Sequence, residues 1–151
     1  MLFGIAYHQA NLLGEGRVLI VAGNGSNQQV PNAEVYDPVA GTFAAVGACV
    51  SKCTTSGVGP CEGVSTVLAD GKVLIVWNSV EAEIFDPAAG SFTATANVDN
   101  VSFEDGLPTV TLLLSGKVLL AGGVRPYGHA SRGRQSLDRG GQRASHRQPF
   151  G

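Results

Sequence analysis

Apolar residues in this chain fall in short runs separated by turn residues, and one such arrangement occurs three times. In each copy an apolar stretch reaches a short polar turn that ends in glycine, and a basic residue then opens an aliphatic run. The turn glycines are Gly16, Gly71 and Gly116, spaced 55 and 45 residues apart. Aliphatic and β-branched runs on either side of a glycine turn predict a β-hairpin, because glycine adopts the positive φ of a tight turn without strain.

A second unit lies between these hairpins and occurs twice, at an offset of 49 residues. Its text is Ala-Glu-Val-Tyr-Asp-Pro-x-x-Gly-x-Phe, with Ile and Phe replacing Val and Tyr in the second copy. Proline fixes φ and has no N–H to donate, so Asp-Pro-x-x-Gly predicts a turn between two strands. The residues that define this unit are Tyr36, Asp37, Pro38, Gly41 and Phe43 in the first copy and Phe85, Asp86, Pro87, Gly90 and Phe92 in the second.

Two hairpins within 45 to 55 residues make a four-stranded antiparallel unit, which is the size of one β-propeller blade. Such a unit has apolar side chains on both faces and can bury them only against neighbouring blades. We therefore expect an all-β fold, an incomplete propeller of about 2.5 blades over residues 1–124. The side chains expected to fill the gaps between blades are Val18, Ile20, Tyr36, Val73, Ile75 and Phe85.

The two units together resemble the repeat of bacterial Kelch proteins, whose blades also form the propeller of galactose oxidase. The resemblance covers residues 7–124. Gly122-Gly123 matches the double glycine of the family, whereas Ala22-Gly23 keeps half of it and Trp77-Asn78 has lost it, so the middle blade is degenerate. These glycines do not predict a phosphate-binding loop, because no predicted helix and no Lys-Ser/Thr pair follows them.

The resemblance implies a structural role for His8, whose ring nitrogen would satisfy backbone groups at the first strand of a blade. It also implies a binding platform for a protein or glycan partner, with loops 24–32, 47–64 and 97–108 as the expected surface. No copper-ligand motif of galactose oxidase maps onto this sequence, so we expect no catalytic residue, no cofactor and no metal here. The alternatives are a piece of an extracellular carbohydrate oxidase whose copper site lies in other blades, and a truncated gene product without function.

Charge divides the chain into two parts. Residues 1–124 carry 4 basic and 11 acidic side chains, whereas residues 125–151 carry 6 arginines and one aspartate. An acidic body argues against nucleic-acid binding by the folded part, and no apolar run is long enough to cross a membrane. We expect the remaining blades of a parent propeller to be partners of this chain.

The tail, residues 125–151, has five scattered apolar residues and no period of 2 or 3.6, so we expect it to stay outside the fold. Three interpretations stay open: a basic arm for nucleic acid or an acidic partner, a plain disordered terminus, and a reading-frame shift just after Gly123. We favour the frame shift, because the change to Arg, Gly, Ser and Gln is abrupt. If the frame has shifted, the gene read in the other frame after this point should encode further sequence of the same repeat.

Three cysteines, Cys49, Cys53 and Cys61, lie in one polar insert between the first and second blades. One disulfide, Cys61 with either of the others, would favour an extracellular or periplasmic parent. The first residues, Met1 to His8, have no basic region and no long apolar stretch, so they do not predict a signal peptide. Three free thiols are the main alternative, and the spacing does not match a zinc module.

Two further side-chain types invite a functional interpretation. Trp77 is either a stacking platform for a sugar ring or an aromatic packed between blades, and we favour packing. Asp37 and Asp86 precede proline in equivalent turns, so we expect them to cap those turns and not to act as paired catalytic carboxylates.

Overall fold

The computed structural model describes residues 2, 5–21, 24–25, 33–47, 49, 63–77, 81–98, 106–123 and 135–137. These residues form antiparallel strands and turns, with no α-helix among them. The strands are β1 (Ile5–Ala6), β2 (Gln9–Leu12), β3 (Val18–Val21), β4 (Asn24–Gly25), β5 (Glu34–Asp37), β6 (Thr42–Ala45), β7 (Gly63–Val67), β8 (Val73–Trp77), β9 (Ala82–Asp86), β10 (Ser91–Ala94), β11 (Thr109–Leu112), β12 (Val118–Ala121) and β13 (Gln135–Leu137).

Three sheets follow one another along the chain. The first sheet has the order β2-β3-β5-β6, the second β7-β8-β9-β10 and the third β11-β12-β13, while β1 and β4 form a separate two-stranded pair. Each strand of the first two sheets pairs with the strands before and after it in that sheet, as a blade of four strands requires. The fold is therefore all-β and agrees with the incomplete propeller that the repeats predict.

Both repeated turns are closed by backbone hydrogen bonds at equivalent positions. In the hairpin turn the N–H of the residue before the turn donates to the carbonyl of the basic residue after it, at 2.7 to 2.8 Å in all three copies. The turn glycine has a φ of 76°, 83° and 79° in the three copies, which side-chain-bearing residues rarely adopt. The three donor and acceptor pairs are Leu13 to Arg17, Leu68 to Lys72 and Leu113 to Lys117.

The Asp-Pro turns are capped by their own aspartates. Oδ1 of Asp37 accepts hydrogen bonds from the N–H groups of Val39 and Ala40, at 2.8 and 3.1 Å. Asp86 makes the same pair of bonds one repeat later, at 2.9 and 3.3 Å. A carboxylate that accepts two backbone N–H groups holds the turn in place, which is the role that the repeat predicts for both residues.

The second sheet buries both of its faces, and β8 shows this most clearly. All five of its residues are buried, with Val73, Ile75 and Trp77 packed toward the first sheet and Leu74 and Val76 packed toward the third. The first core also contains Leu13, Leu19, Val21, Ala33, Val35, Phe85 and Phe92; the second contains Val64, Leu68, Ala82, Val98, Val118 and Leu120. The sheets are thus held by the side chains between them.

Residues predicted to lie between blades divide into two groups. Val73, Ile75 and Phe85 lie in the core between the first and second sheets. Val18, Ile20 and Tyr36 lie on the side of the first sheet that faces away from the second; Val18 and Tyr36 are half-buried there, whereas Ile20 is buried.

Polar contacts join neighbouring sheets at their inner and outer strands. The inner strands β2 and β7 are linked by Asn11 and Ser65, whose side chains exchange hydrogen bonds of 2.8 and 3.1 Å. At the outer strands the N–H of Gly47 donates to the carbonyl of Gly90 at 3.0 Å. The first and second sheets are therefore fixed to each other at both ends of their width.

The third sheet includes a short segment of the basic tail. Gln135–Leu137 pairs antiparallel with β12, in the place that the third strand of a blade occupies. These three residues depart from the expectation that the tail stays outside the fold, because backbone pairing to an open strand edge needs no apolar pattern. The other tail residues lie outside the described part of the chain.

Gly47→Ala should destabilise the contact between the first two sheets. An added Cβ would lie 2.9 Å from the Gly90 carbonyl oxygen and 3.3 Å from Ser91 Cα, so backbone must move. We expect the free energy of unfolding to fall by about 1 to 3 kcal/mol in a urea titration. Gly14→Ala is the matched control, since nothing lies within 4 Å of its added Cβ. Equal losses in the two variants would contradict the contact.

Candidate functional site

The connections between strands divide the blades into two rims. Hairpin turns 13–17, 68–72 and 113–117 and Asp-Pro turns 38–41 and 87–90 lie at one end of the strands, which we call the turn rim. The connections 22–33, 46–62, 78–81 and 95–108 lie at the opposite end, the loop rim, because each antiparallel strand reverses the direction of the chain. The turn rim is therefore uniform and the loop rim is variable.

Loops 24–32, 47–64 and 97–108 all leave the sheets at the loop rim. Most of their residues lie outside the described part of the chain, but the strands that carry them are described on both sides. The shortest connection at the loop rim is 78–81, in the degenerate middle blade. There the N–H of Trp77 donates to the carbonyl of Glu81 at 2.9 Å. The topology thus brings the three predicted binding loops to one side of the molecule.

Trp77 lies at the loop rim but is not exposed there. Its side chain is 1% exposed and packs in the core between the first and second sheets, so it offers no face for stacking a sugar ring. This contradicts the ligand-platform interpretation. The reason is positional: Trp77 continues the alternation of Val73 and Ile75, so it points toward the first sheet. Its indole N–H has no hydrogen-bond partner among the described residues.

His8 precedes the first ladder and does not have the expected structural contacts. Its side chain is exposed and forms no hydrogen bond within the described part of the chain. The chain turns at Tyr7, whose φ is 60°, and pairing with β3 begins only at Gln9. The expected bond from the ring to backbone groups is therefore absent among these residues.

Two glutamates that the sequence analysis did not single out are buried in the structure. Glu34 and Glu83 occupy the same position in the Ala-Glu-x-x-Asp-Pro unit, and both are fully buried. The two carboxylate oxygens of Glu34 accept the N–H of Leu2, at 2.9 and 3.1 Å, and so fix the chain before β1. A charged residue at the same position of both copies was the available signal.

Of the three cysteines, only Cys49 lies in the described part of the chain. It is half-buried and packs against the core between the first two sheets. Cys53 and Cys61, the other members of the predicted disulfide, lie outside the described residues. The disulfide stays a prediction. Gly23 also lies outside them, while Gly122 and Gly123 follow β12 with φ of 97° and 72°.

A cleft of about 370 Å³ opens between the first and second sheets at the turn rim. Its polar side chains are Arg17, Asp37 and Thr42. The remaining lining is formed by Leu13, Val35, Ala44, Val46, Phe85, Pro87, Ala88, Ala89 and Gly90. The Nε of Arg17 is buried in this region without a hydrogen bond among the described residues, and the nearest ionic group is the Glu15 carboxylate at 4.0 Å.

The equivalent basic residue of the second blade forms an ion pair. Lys72 Nζ lies 2.9 Å from Asp86 Oδ2. This hydrogen bond, assisted by the N–H groups of Ala88 and Ala89, holds the pKa of Asp86 below its usual range, and the same contact raises the pKa of Lys72. Arg17 and Asp37 occupy the same two positions in the first blade, but they do not form this ion pair.

Solved structures of other proteins share this fold, and 84 of their chains match it. One is a fungal alcohol oxidase, a member of the AA5 family with catalytic diversity, in complex with copper. It shares 16% sequence identity with this chain at a TM-score of 0.59, and the match covers 89% of this chain. The chain spans 28% of the length of that oxidase, and at this identity the likeness shows the fold alone. No protein-family model and no curated protein matches the sequence.

The described residues do not fit a copper site. No group of three His, Cys, Asp or Glu side chains that could hold a metal ion occurs among them. His8 is exposed, Cys49 packs against the core and the ring of Tyr36 lies 4.8 Å from that of Phe43. No helix in the described ranges has the length and apolar character of a membrane span.

Trp77→Ala should be among the most destabilising single changes in the second blade. Removing a fully buried indole leaves a cavity between two sheets, and we expect a loss of about 3 to 5 kcal/mol in urea titrations. Trp77→Phe is the matched control, because it keeps an aromatic ring and removes an N–H that has no partner among the described residues. A loss as large for Trp77→Phe as for Trp77→Ala would contradict this account of the packing.

The Lys72–Asp86 pair should stabilise the fold only between two pH limits. Because the pKa of Asp86 is lowered in the folded state, its contribution to the free energy of unfolding is lost as the pH falls through that pKa, below about pH 4. Because the pKa of Lys72 is raised in the folded state, its contribution to the free energy of unfolding is lost as the pH rises through that pKa, above about pH 10.4. The difference in melting temperature between wild type and Lys72→Met should be largest between these limits and shrink in 1 M salt.

Arg17→Met is the matched control for this pH dependence, because Arg17 does not pair with the aspartate of its own blade. Its effect on melting temperature should change less with pH and salt. The contribution of the pair is modest, since both side chains are partly exposed. A Lys72→Met difference that stayed constant from pH 3 to pH 11 would rule out the pair.

Proposed function

We propose that this chain is part of a Kelch-type β-propeller that acts as an interaction scaffold. It binds a protein or glycan partner through the loop rim and carries no catalytic site of its own. The observation that supports this most is the contrast between the two rims. The turn rim repeats short, hydrogen-bonded turns, whereas the loop rim carries connections of different length and composition.

The physical reason for placing recognition at the loop rim is the rigidity of what lies beneath it. The strands that carry the loops are tied by the buried faces of β8 and by the Asn11–Ser65 contact. A loop held at both ends by a rigid sheet can vary in sequence without changing the fold, and binding residues concentrate on such loops. The middle blade contributes less, because the indole of Trp77 is buried.

A second candidate function has one observation in its favour. The likeness to a copper-containing alcohol oxidase supports a longer parent protein whose catalytic residues lie outside this chain. Under that proposal these blades support a catalytic centre and do not contribute ligands to it. Copper-dependent oxidation of an alcohol by a longer product of the same gene would favour this candidate over the scaffold.

The scaffold proposal is tested by comparing the two rims. Purified chain is screened against an oligosaccharide array and a displayed peptide library, and the hits are measured again with two variants. The loop-rim variant replaces residues 50–60 by a Gly-Ser segment of equal length. The turn-rim control is Val39→Glu, at a side chain that is 93% exposed. We expect the loop-rim variant to weaken binding about tenfold or more and Val39→Glu to leave it unchanged.

Two results would count against recognition at the loop rim. The first is a set of hits that survives replacement of 50–60 but is lost with Val39→Glu. The second is a folded chain that binds no oligosaccharide and no peptide at micromolar concentrations. Circular dichroism of each variant checks that the blades are intact before binding is measured.

A further inference from the structure

The cleft between the first and second sheets at the turn rim has no part in the scaffold function. Its volume of about 370 Å³ lies at the small end of the range of roughly 300 to 1,000 Å³ that ligand pockets occupy. Strands β5 and β6 of the first sheet form one wall, and the Asp-Pro turn 87–90 of the second sheet forms the other. Both walls are therefore built by described blades of this chain.

The alternation of side chains along the strands places three polar groups at this cleft. Arg17 lies two residues before Leu19, and Asp37 lies two residues after Val35, so both continue the face that packs on the second sheet. Thr42 is the register partner of Asp37. The cleft therefore holds a guanidinium, a carboxylate and a hydroxyl group beside apolar side chains.

Two of these groups have an atom without a partner among the described residues. Arg17 Nε is buried and donates to no acceptor there, although the side chain as a whole is 37% exposed. Asp37 Oδ1 caps its own turn, while its Oδ2 forms no hydrogen bond or ion pair in the described part of the chain. In the second blade the equivalent oxygen, Oδ2 of Asp86, binds Lys72 at 2.9 Å. The first blade thus keeps apart a donor and an acceptor that the second blade joins.

The charges around the cleft disfavour a simple ion. An anion at Arg17 would also meet the negative charges of Asp37 and of Glu15, whose Oε2 lies 4.0 Å from Arg17 Nε. A cation at Asp37 would meet the guanidinium. A ligand with one charge of each sign satisfies both sides, since hydrogen bonds between charged partners are the strong ones.

The apolar part of the cleft favours an aliphatic group on that ligand. Leu13, Val35 and Val46 line the first-sheet side, and Pro87 lines the other. Phe85, the aromatic residue of this lining, is 1% exposed and offers no open ring for stacking a sugar. The lining therefore suits an aliphatic side chain better than a glycan.

We propose that this cleft binds a free α-amino acid with an aliphatic side chain. The carboxylate of the ligand accepts hydrogen bonds from Arg17, its ammonium group donates to Asp37 Oδ2, and its side chain lies against the apolar wall. The site is at the opposite rim from the candidate binding loops, so it does not rest on the proposed scaffold function.

The test titrates the full chain with L-leucine and follows the NMR signal of the Arg17 Nε–H group. We expect a saturable shift of this signal, with a dissociation constant of about 1 mM or below. Two analogues each lack one charge: 4-methylpentanoate has no ammonium group, and 3-methylbutylamine has no carboxylate. Each should bind about tenfold more weakly or worse, because one side of the cleft then stays without a partner.

Three variants measured by isothermal titration calorimetry locate the site. Arg17→Met and Asp37→Asn should each weaken L-leucine binding about tenfold or more. Asn keeps an oxygen that can accept the two N–H groups of the turn, so Asp37→Asn removes the charge and leaves the cap. Lys72→Met is the matched control at the same repeat position of the second blade and should leave the affinity unchanged. Circular dichroism checks that each variant is folded.

Four results would overturn the proposal. The first is no saturable shift with L-leucine up to roughly 50 mM. The second is equal affinity for L-leucine and either analogue, which would remove the need for two charges. The third is unchanged binding in Arg17→Met or Asp37→Asn, which would place the ligand elsewhere. The fourth is an effect of Arg17→Met on melting temperature that shrinks in high salt as much as that of Lys72→Met, because Arg17 and Asp37 would then pair with each other.

Discussion

The structure depends on one constraint, which is that each blade sheet is apolar on both faces. In β8 consecutive residues point to opposite sides, and all five are buried. A single sheet of this kind is not stable in water, because both of its apolar faces would be exposed. Even a pair of sheets leaves one apolar face of each sheet uncovered. Sheets must therefore be stacked side by side, and the side chains between them, more than any polar contact, decide the architecture.

The difference between the two rims follows from the same constraint. Stacking fixes the positions of the strands, and at the turn rim adjacent paired strands must be joined by short turns. The turn glycines and capping aspartates meet that need with backbone geometry and local hydrogen bonds, so this rim repeats closely. At the other end the connections span different distances, and nothing in the stacking dictates their sequence.

Sequence reasoning predicted the features that repeat. Gly16, Gly71 and Gly116 lie in equivalent turns because a positive φ is a local requirement that glycine meets in any context. It also favoured packing for Trp77, whose ring is indeed buried between the first and second sheets. It was incomplete at the buried glutamates, where the outcome depends on what lies opposite. Glu34 and Glu83 were not assigned a role, although both are fully buried at equivalent positions and Glu34 binds the Leu2 N–H.

Two further differences have equally specific causes. His8 was expected to bond to backbone groups, but the positive φ at Tyr7 delays pairing until Gln9. Gln135–Leu137 has no strand-like alternation of apolar residues, so its pairing with β12 could not be foreseen from side chains. Backbone N–H and C=O groups at a strand edge accept any extended segment that reaches them. The repeat pattern does not predict the conformation of the connections at the loop rim, because these connections are not part of the repeated units.

The strand order, which follows the chain order, has a consequence for biosynthesis. Each of the three blade sheets forms from strands that follow one another in the chain, so the first can pair its strands as soon as Ala45 leaves the ribosome. Its apolar partner is complete only at Ala94, 49 residues later, a delay of about 2 to 10 s at typical translation rates. During that interval the nascent chain exposes a paired but uncovered sheet, which is the kind of surface that chaperones bind.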